Sequence, residues 1–207
     1  MTAARTDAER PLVVADITMS LDGFITGPDP SPTAGLGEGG EALHEWVFSD
    51  DPVDAAILKE STEATGAVVM GRRLFDVIDG PGGWNDEMGY GAGHAATPAF
   101  VVVTHRPPDA VRLGLDFTFV TDGVAAAVEQ ARGSAGDRDG VIMGGGDVIG
   151  QCLVGDLVDQ LRIHLAAIVL GAGTPLFVPG ERLPFVQSAV RPSSTATHLT
   201  YVRAAAA

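Results

Sequence analysis

One segment in the second half of the chain decides the fold: Val141-Ile142-Met143-Gly144-Gly145-Gly146-Asp147-Val148-Ile149. A short apolar run ends at glycines and resumes with helical spacing, which is typical of a buried strand that turns directly into a helix. The segment Val68-Val69-Met70-Gly71-Arg72-Arg73 has the same order. Two such units predict a mostly parallel sheet with helices on its faces.

The spacing of apolar residues on either side of these two segments predicts the remaining strands and helices. We expect strands at residues 12–19, 99–103, 117–120 and 161–170, and helices at 41–48, 51–65, 71–78 and 122–130. The run 161–170 alternates little, which is typical of a strand that is buried on both faces. Residues 183–203 predict two antiparallel strands that turn around Arg191-Pro192. The predicted fold class is a three-layer α/β domain, whose central and mostly parallel sheet has a C-terminal antiparallel strand and flanking helices.

Length and composition exclude several classes of protein. The 207 residues suffice for one domain, which we place at 11–203, with a disordered tail at 1–10 and a short tail at 204–207. A Walker-type phosphate loop needs a lysine after its glycines, and the only lysine is Lys59. The single cysteine, Cys152, excludes an intramolecular disulfide and a cysteine-based zinc cage. Since His44, His94 and His198 show no metal-ligand spacing, we expect no metal site.

The net charge and the lengths of the apolar runs limit which partners the protein can bind and where in the cell we expect it. A net charge of −14 argues against non-specific binding to nucleic acid. No apolar run reaches the roughly 18–20 residues of a membrane span. Residues 1–10 are polar and lack the apolar core of a secretion signal. We therefore expect a cytoplasmic protein that binds neither nucleic acid nor membranes.

The two strand–glycine–helix junctions are candidates for holding phosphate. Free N–H groups and the helix dipole at such a junction attract an anion, and glycine lets the backbone approach it closely. Arg72 and Arg73 follow one junction, and Thr104-His105-Arg106 follows another predicted strand. Two arginine-bearing strand ends in an acidic chain favour a ligand with an extra phosphate, as in NADPH. The alternative is that the glycines only make tight turns and that the arginines are solvated surface residues.

Four motifs in order resemble those of a known superfamily: Met19-Ser20-Leu21-Asp22-Gly23-Phe24-Ile25, Met70-Gly71-Arg72, Met143-Gly144-Gly145-Gly146 and Leu170-Gly171-Ala172-Gly173-Thr174-Pro175-Leu176-Phe177. Together they resemble the dihydrofolate-reductase-like superfamily, and within it the reductase domain of the bifunctional riboflavin-biosynthesis deaminase–reductase. The resemblance spans residues 12–203. It implies the fold described above and NADPH as the hydride donor.

The resemblance also implies roles for particular positions. The backbone around Ile25 and Thr26 would lie near the nicotinamide. Gly71, Arg72 and Arg73 would hold phosphates, and Thr104 and His105 would lie near the phosphate of the adenosine ribose. The pyrophosphate and the nicotinamide would be wrapped by the second junction, whose residues are Gly144, Gly145, Gly146, Asp147, Val148 and Ile149.

Asp16 and His164 are the candidate catalytic residues. Asp16 lies in an otherwise apolar predicted strand, where strand alternation puts it on the same face as Thr18. Burying a carboxylate is costly unless it is paired, so Asp16 is a candidate for gripping or protonating a substrate ring. Its alternative is a structural hydrogen bond to a neighbouring strand. By family position His164 would face the substrate pocket, and its alternative is a satisfied core histidine. Asp22-Gly23 is instead predicted to make a tight turn.

The predicted function is an NADPH-dependent reductase of a pyrimidine- or pterin-like heterocycle, similar to 5-amino-6-(5-phosphoribosylamino)uracil reductase. The deaminase half of the riboflavin enzyme is excluded because its zinc site needs more than one cysteine. The alternatives are a non-catalytic nucleotide-binding module of the same fold, a dihydrofolate reductase, and a reductase that uses another carrier such as a deazaflavin. Dihydrofolate reductases place a carboxylate on the first long helix, and residues 41–48 offer Glu45 for that position. The apolar late strands favour a homodimer.

Overall fold

The computed structural model describes residues 10–85, 89, 97–177, 180 and 182–204. The strands are β1 (Val13–Met19), β2 (Thr65–Gly71), β3 (Ala99–Val103), β4 (Phe117–Val120), β5 (Asp139–Gly144), β6 (Gln160–Ala166), β7 (Phe185–Pro192) and β8 (Ala196–Arg203). The α-helices are α1 (Pro52–Ala64), α2 (Arg72–Ile78), α3 (Val124–Ala135) and α4 (Gly146–Val154). A 3₁₀ helix, Gly40–Phe48, precedes α1.

In the described part of the chain these strands form one sheet, in the order β4-β3-β2-β5-β1-β6-β8-β7. The pairs from β4 to β6 are all parallel, whereas β8 pairs antiparallel with both β6 and β7. The sheet confirms the predicted fold class. Parallel strands need crossover connections, and helices form four of them: α1 between β1 and β2, α2 between β2 and β3, α3 between β4 and β5, and α4 between β5 and β6.

Helices cover both faces of the sheet. One face packs on α3 and α4, where Val13, Ala15 and Ile142 join the largest buried apolar cluster. The other face carries α2 and, next to β1, β6 and β8, the 3₁₀ helix and α1. Strand alternation turns Asp16 and Thr18 away from the α3–α4 face and toward the 3₁₀ helix and α1.

Several predicted boundaries were wrong, and the structure shows the cause of each error. The strand predicted at 161–170 ends at Ala166, because the chain then turns back and Ile168 accepts a hydrogen bond from the Leu21 amide. The helix predicted at 122–130 begins at Val124 and reaches Ala135, whose burial extends it. Gly123 is its N-cap in place of Asp122.

Two further elements differ from the prediction. The segment predicted as a helix at 41–48 is a 3₁₀ helix. The final hairpin turns at residues 193–195, after Arg191-Pro192 rather than around them. The Ser193 hydroxyl accepts the Ala196 amide and so closes that turn.

The predicted tails lie almost wholly outside the described residues, which begin at Arg10 and end at Ala204. Arg10 itself forms an ion pair with Asp159. Most of residues 86–96, which include His94, lie outside the described part as well. Just before that stretch, the Arg112 side chain donates to the carbonyl oxygens of Ile78, Asp79 and Trp84 and holds residues 78–84 in place.

Candidate functional site

The carboxyl ends of four neighbouring strands meet at one edge of the sheet. The strand order places β3, β2, β5 and β1 side by side and parallel. These strands end at Val103, Gly71, Gly144 and Met19. Each segment that the sequence predicts to hold a dinucleotide therefore begins at this edge. In parallel α/β sheets this is the edge at which ligands bind.

The first junction, between β2 and α2, is in contact with the second. A Cβ built on Gly71 would lie 3.0 Å from Val148 Cγ2 and 3.9 Å from the Gly145 amide nitrogen. A side chain at position 71 would thus press on the second junction. Glycine at this position lets the starts of α2 and α4 lie next to each other.

The second junction, between β5 and α4, contains glycines with different roles. A Cβ on Gly145 would meet nothing within 4 Å, so the backbone there faces open space at the start of α4. A Cβ on Gly146 would instead lie 3.1 Å from the Pro175 carbonyl oxygen and 3.2 Å from Ile25 Cδ1. Gly145 is therefore the position at which an anion can approach the backbone, whereas Gly146 is needed for packing. The Gly144–Gly145 peptide bond is cis.

The other residues predicted at the second junction differ in what they can offer. Val148 and Ile149 have buried side chains, and that of Val148 packs toward Gly71, so both residues offer a ligand only their backbone. Asp147 is 85% exposed, and its Oδ2 lies 3.9 Å from Nη1 of Arg73, which is 95% exposed. This ion pair bridges the two junctions, but pairs so exposed contribute little to stability.

Two of the three predicted arginines line a common cavity of about 240 Å³. Its walls are formed by Arg72, Arg106, Pro107, Pro108 and Asp109. Arg72 donates from Nε to Asp76 Oδ1 at 2.7 Å and from Nη1 to the Arg106 carbonyl oxygen at 2.7 Å. The ends of β2 and β3 are thereby joined. The cavity is thus bounded by two guanidinium groups.

Thr104 and His105, which were predicted near a phosphate, have different environments. Thr104 is buried, and its hydroxyl donates to the Arg106 carbonyl oxygen at 2.8 Å and accepts the Arg106 amide at 3.2 Å. Its side chain therefore shapes the turn that presents Arg106. His105 is exposed beside that turn.

Residues 20–26, which leave β1, are held against residues 168–176. Ile25 donates its amide to the Thr174 carbonyl oxygen at 2.8 Å, and the Thr26 hydroxyl accepts the Thr174 amide at 3.1 Å. Asp22 accepts the amides of Leu170 and Gly171 and the Ser20 hydroxyl. Asp22 thus anchors the turn, as the sequence indicates. The contact of Ile25 with the Gly146 position brings this segment to the second junction.

Asp16 and His164, the predicted catalytic residues, contact each other. His164 lies on β6, and its Nε2 is 2.8 Å from Asp16 Oδ1 on β1. The Ser61 hydroxyl on α1 donates to Asp16 Oδ2 at 3.3 Å. The other ring nitrogen of His164, Nδ1, is 2.7 Å from Nδ1 of His198 on β8. Both residues are therefore engaged within the protein, and Asp16 has the partner on a neighbouring strand that the structural alternative predicts.

The chain of contacts continues to α1. His198 Nε2 lies 2.7 Å from Asp54 Oδ1, and Asp54 Oδ2 accepts the hydroxyls of Ser49 and Thr195 at 2.5 and 2.6 Å. Trp46 packs on His164 with ring centroids 4.3 Å apart. The Trp46 indole also donates to Thr18 at 3.0 Å. We call Asp16, His164, His198 and Asp54 the acid–histidine chain.

The carboxylates of this chain are held ionised. Burial by itself raises the pKa of Asp16, but the His164 ring and Arg162 outweigh it, and the pKa lies below its ordinary value. Burial also opposes ionisation of Asp54, yet hydrogen bonds from Ser49 and Thr195 and from His198 lower its pKa to about 2. Burial lowers the pKa of His198 more than Asp54 raises it.

Sequence reasoning did not assign His198 and Asp54 to the site. His198 was considered only as a metal ligand, and Asp54 lies in the first turn of a helix, where a carboxylate is commonplace. His198 lies 34 residues from His164 in the sequence, and Asp54 lies 110 residues from it. No local sequence pattern therefore connects these residues. The first long helix is α1, and its buried carboxylate is Asp54, whereas Glu45 on the 3₁₀ helix is exposed.

A second cavity of about 240 Å³ lies beside the acid–histidine chain. It is lined by Ala42, Glu45, Ala167, Ile168, Ser194 and Thr195. The Thr195 hydroxyl connects this cavity to Asp54. Within the described ranges, no group of three histidine, cysteine or acidic side chains is placed to hold a metal ion. Nor is any helix there long and apolar enough to cross a membrane.

Solved structures share this fold. A protein assigned to riboflavin biosynthesis from Shewanella sp. PV-4 is 22% identical, with a TM-score of 0.67 over 94% of this chain and 99% of that chain. A diaminohydroxyphosphoribosylaminopyrimidine deaminase/5-amino-6-(5-phosphoribosylamino)uracil reductase from Thermotoga maritima is 15% identical, with a TM-score of 0.61 over 95% of this chain and 58% of that chain. Dihydrofolate reductase from Enterococcus faecalis is 19% identical, with a TM-score of 0.50 over 93% and 96% of the two chains.

These likenesses show that the fold is dihydrofolate-reductase-like, as the sequence motifs predict. No curated protein matches the sequence significantly. The family model of the RibD C-terminal domain matches residues 11–199, which is nearly the whole described chain. The chain therefore belongs to the RibD C-terminal domain family.

Proposed function

We propose that this protein is an NADPH-dependent reductase of a pyrimidine- or pterin-like heterocycle. The observation that carries the proposal is the contact between the two glycine junctions at the carboxyl edge of the sheet, beside a cavity bounded by Arg72 and Arg106. Membership of the RibD C-terminal domain family supports the reductase class. The uracil reductase name of the Thermotoga maritima relative supports a pyrimidine as the substrate.

The residues at this edge fit a dinucleotide with an extra phosphate. Open space at Gly145 leaves room for a phosphate against the start of α4, where the helix dipole favours negative charge. Arg72 and Arg106 supply two guanidinium groups in one cavity, and guanidinium groups bind phosphate oxygens through paired donors. Three carboxylates lie nearby, and each is paired with an arginine: Asp76, Asp109 and Asp147.

When bound, NADPH supplies the hydride, and the chain supplies binding and orientation. In this proposal the backbone at Ile25 and Thr26, fixed by Thr174, borders the cofactor next to Gly146. Arg72 and Arg106 bind the phosphate that distinguishes NADPH from NADH. We retain the prediction that Asp16 and His164 position a proton for the substrate. Asp16 and His164 are hydrogen-bonded to each other, and His164 also contacts His198, so any proton would move through these hydrogen bonds.

The test starts with the cofactor. Mass spectrometry of the purified protein identifies any carrier that co-purifies, and fluorescence titration compares NADPH with NADH. We expect tighter binding of NADPH. Absence of NADPH binding, or a co-purified deazaflavin, would contradict the proposal.

The second step is the substrate. Consumption of NADPH is followed by absorbance with the phosphoribosylamino-uracil, with dihydrofolate and without substrate. We expect oxidation with the uracil compound. Oxidation with dihydrofolate alone would indicate a dihydrofolate reductase. Tight NADPH binding without turnover on any of a panel of pyrimidines and pterins would indicate a non-catalytic nucleotide-binding module.

A further inference from the structure

The two histidines of the acid–histidine chain face each other through the same ring atom. His164 on β6 and His198 on β8 are directly paired in the antiparallel register, and their Nδ1 atoms are 2.7 Å apart. Their side chains are 5% exposed each. The remaining nitrogen of each ring, Nε2, lies 2.8 Å or less from a carboxylate oxygen, of Asp16 and Asp54 respectively.

The contacts of the two rings fix how many hydrogens their four nitrogen atoms carry. A carboxylate only accepts, so each Nε2 must carry the hydrogen that it donates to Asp16 or Asp54. Two neutral rings would then both have a bare Nδ1, and the lone pairs would face each other at 2.7 Å without a hydrogen. One hydrogen between the Nδ1 atoms turns this contact into a hydrogen bond. The pair therefore needs three hydrogens, one more than two neutral imidazoles carry.

The surroundings favour that additional positive charge. Asp16 and Asp54 flank the pair as carboxylates, and the Trp46 ring lies over His164, where an aromatic face attracts a cation. His44, on the 3₁₀ helix, is kept neutral because burial lowers its pKa, with a further contribution from His164. Arg162 on β6 and Arg191 on β7 also face the pair and oppose the added charge, but Arg162 lies beside Asp16 and Arg191 is paired with Glu60 on α1.

The site has a connection to the surface. The Thr195 hydroxyl donates to Asp54 and lines the second cavity with Glu45 and Ser194. The second cavity thus reaches a residue that is hydrogen-bonded to Asp54.

We propose that His164 and His198 form one buried proton-binding site, whose single shared proton joins β1, β6, β8 and α1. This inference does not depend on the proposed reductase activity. With the proton bound, both carboxylates, both rings and the Thr195 hydroxyl are satisfied. Without it, the two facing lone pairs push β6 and β8 apart next to the cavity.

The sign of the pH dependence follows from the proton count. Above the ordinary histidine pKa of about 6.5, the unfolded chain loses its histidine protons while the native pair keeps one. The native state then binds more protons, so stability falls as the pH rises, by up to about tenfold in the folding equilibrium constant per pH unit. Below that pKa the unfolded chain gains two protons, and the native pair has room for only one. Stability therefore also falls as the solution becomes acidic.

The test uses the full chain with ¹⁵N-labelled histidine. Long-range ¹H–¹⁵N spectra distinguish a ring with two N–H groups from a neutral ring. At a pH of about 8, above the ordinary histidine pKa of about 6.5, we expect one doubly protonated ring and one ring in the Nε2–H form. His198→Phe keeps a ring beside Trp46 and should remove the signal of the doubly protonated ring. His105→Gln should leave that signal unchanged.

Two neutral rings at positions 164 and 198 of the wild-type protein at that pH would overturn the proposal. A second measurement requires no variant. Unfolding by urea is carried out in weakly buffered solution at the same pH. It should release about one proton per molecule, because the native histidine pair holds one proton that the unfolded chain does not. Uptake of protons, or no net change, would also overturn it.

Discussion

Gly173 packs so closely on Thr26 that a Cβ built on the glycine would overlap the Thr26 carbonyl oxygen and lie 2.9 Å from its carbonyl carbon. The same glycine has a φ of +140°, which side chains rarely adopt. This contact fixes residues 20–26 against residues 168–176. It therefore sets the position of Ile25 beside the second glycine junction.

Gly173→Ala should destabilise the protein by more than the strain of positive φ alone. Gly171 has a φ of +77° with no atom within 4 Å of its Cβ position, so Gly171→Ala is the matched control. We expect a loss of about 1–2 kcal/mol for the control and a larger loss at position 173. Urea unfolding measures both. Equal losses would show that the close approach to Thr26 is easily relieved.

Arg72→Ala and Arg106→Ala should weaken NADPH binding far more than NADH binding. Each variant removes a guanidinium from the common cavity, and a charge-assisted contact is worth about 1.5–3 kcal/mol, or ten- to a hundredfold in affinity. Arg138→Ala is the matched control because Arg138 immediately precedes β5, at the opposite edge of the sheet. Fluorescence titration with both cofactors gives the comparison. A similar loss for NADH and NADPH would remove the phosphate assignment.

Gly145→Ala should reduce NADPH affinity without unfolding the protein. Its Cβ would occupy open space at the start of α4, where a phosphate would lie. We expect a loss of about 1–3 kcal/mol in binding, the usual cost of overpacking. Gly146→Ala should instead lower the thermal stability, because its Cβ would press on Pro175 and Ile25. Unchanged NADPH affinity in the first variant would mean that Gly145 serves only the turn.

Asp16→Asn should leave the fold and NADPH affinity intact and lower turnover. Asparagine keeps an oxygen that accepts the His164 hydrogen bond but removes the charge. If Asp16 helps to position a proton for the substrate, turnover should fall by about 10²–10⁴-fold. Ser61→Ala, which removes only the weaker contact with Asp16, should have a small effect. A lower melting temperature with normal turnover would assign Asp16 to stability alone.

The protein should form a homodimer. Strand β7 lies at one edge of the sheet, where Val186 is 54% and Val190 45% exposed. An exposed edge strand with apolar side chains is a template for pairing with another chain. Light scattering at micromolar concentration should give twice the monomer mass, and Val190→Lys should shift the protein toward monomer if this edge is the interface. A monomer mass for wild type would contradict the prediction.

The elements with a local signal could be predicted from the sequence. Glycine between a short apolar run and a segment with helical spacing predicted both strand–helix junctions, because backbone freedom and periodicity are properties of adjacent residues. The predicted strands at 99–103 and 117–120 have the bounds found in the structure. The predicted ends of elements were less accurate where contacts with distant residues determine them. The strand β6 is an example, because Ile168 after it accepts a hydrogen bond from Leu21 in the segment after β1.

Which side chains meet depends on the tertiary structure. Asp16 was singled out as a carboxylate in an apolar strand and His164 by family position. In the sheet, β1 pairs Asp16 with Arg162 and Thr18 with His164, which makes Asp16 and His164 diagonal neighbours 2.8 Å apart. His198 and Asp54 carry no local signal, since a histidine on a strand and an aspartate in a first helical turn are ordinary. They enter the chain because β8 returns antiparallel to β6 and α1 packs over both. Contacts between residues so distant in sequence depend on how the sheet is ordered, which no local pattern encodes.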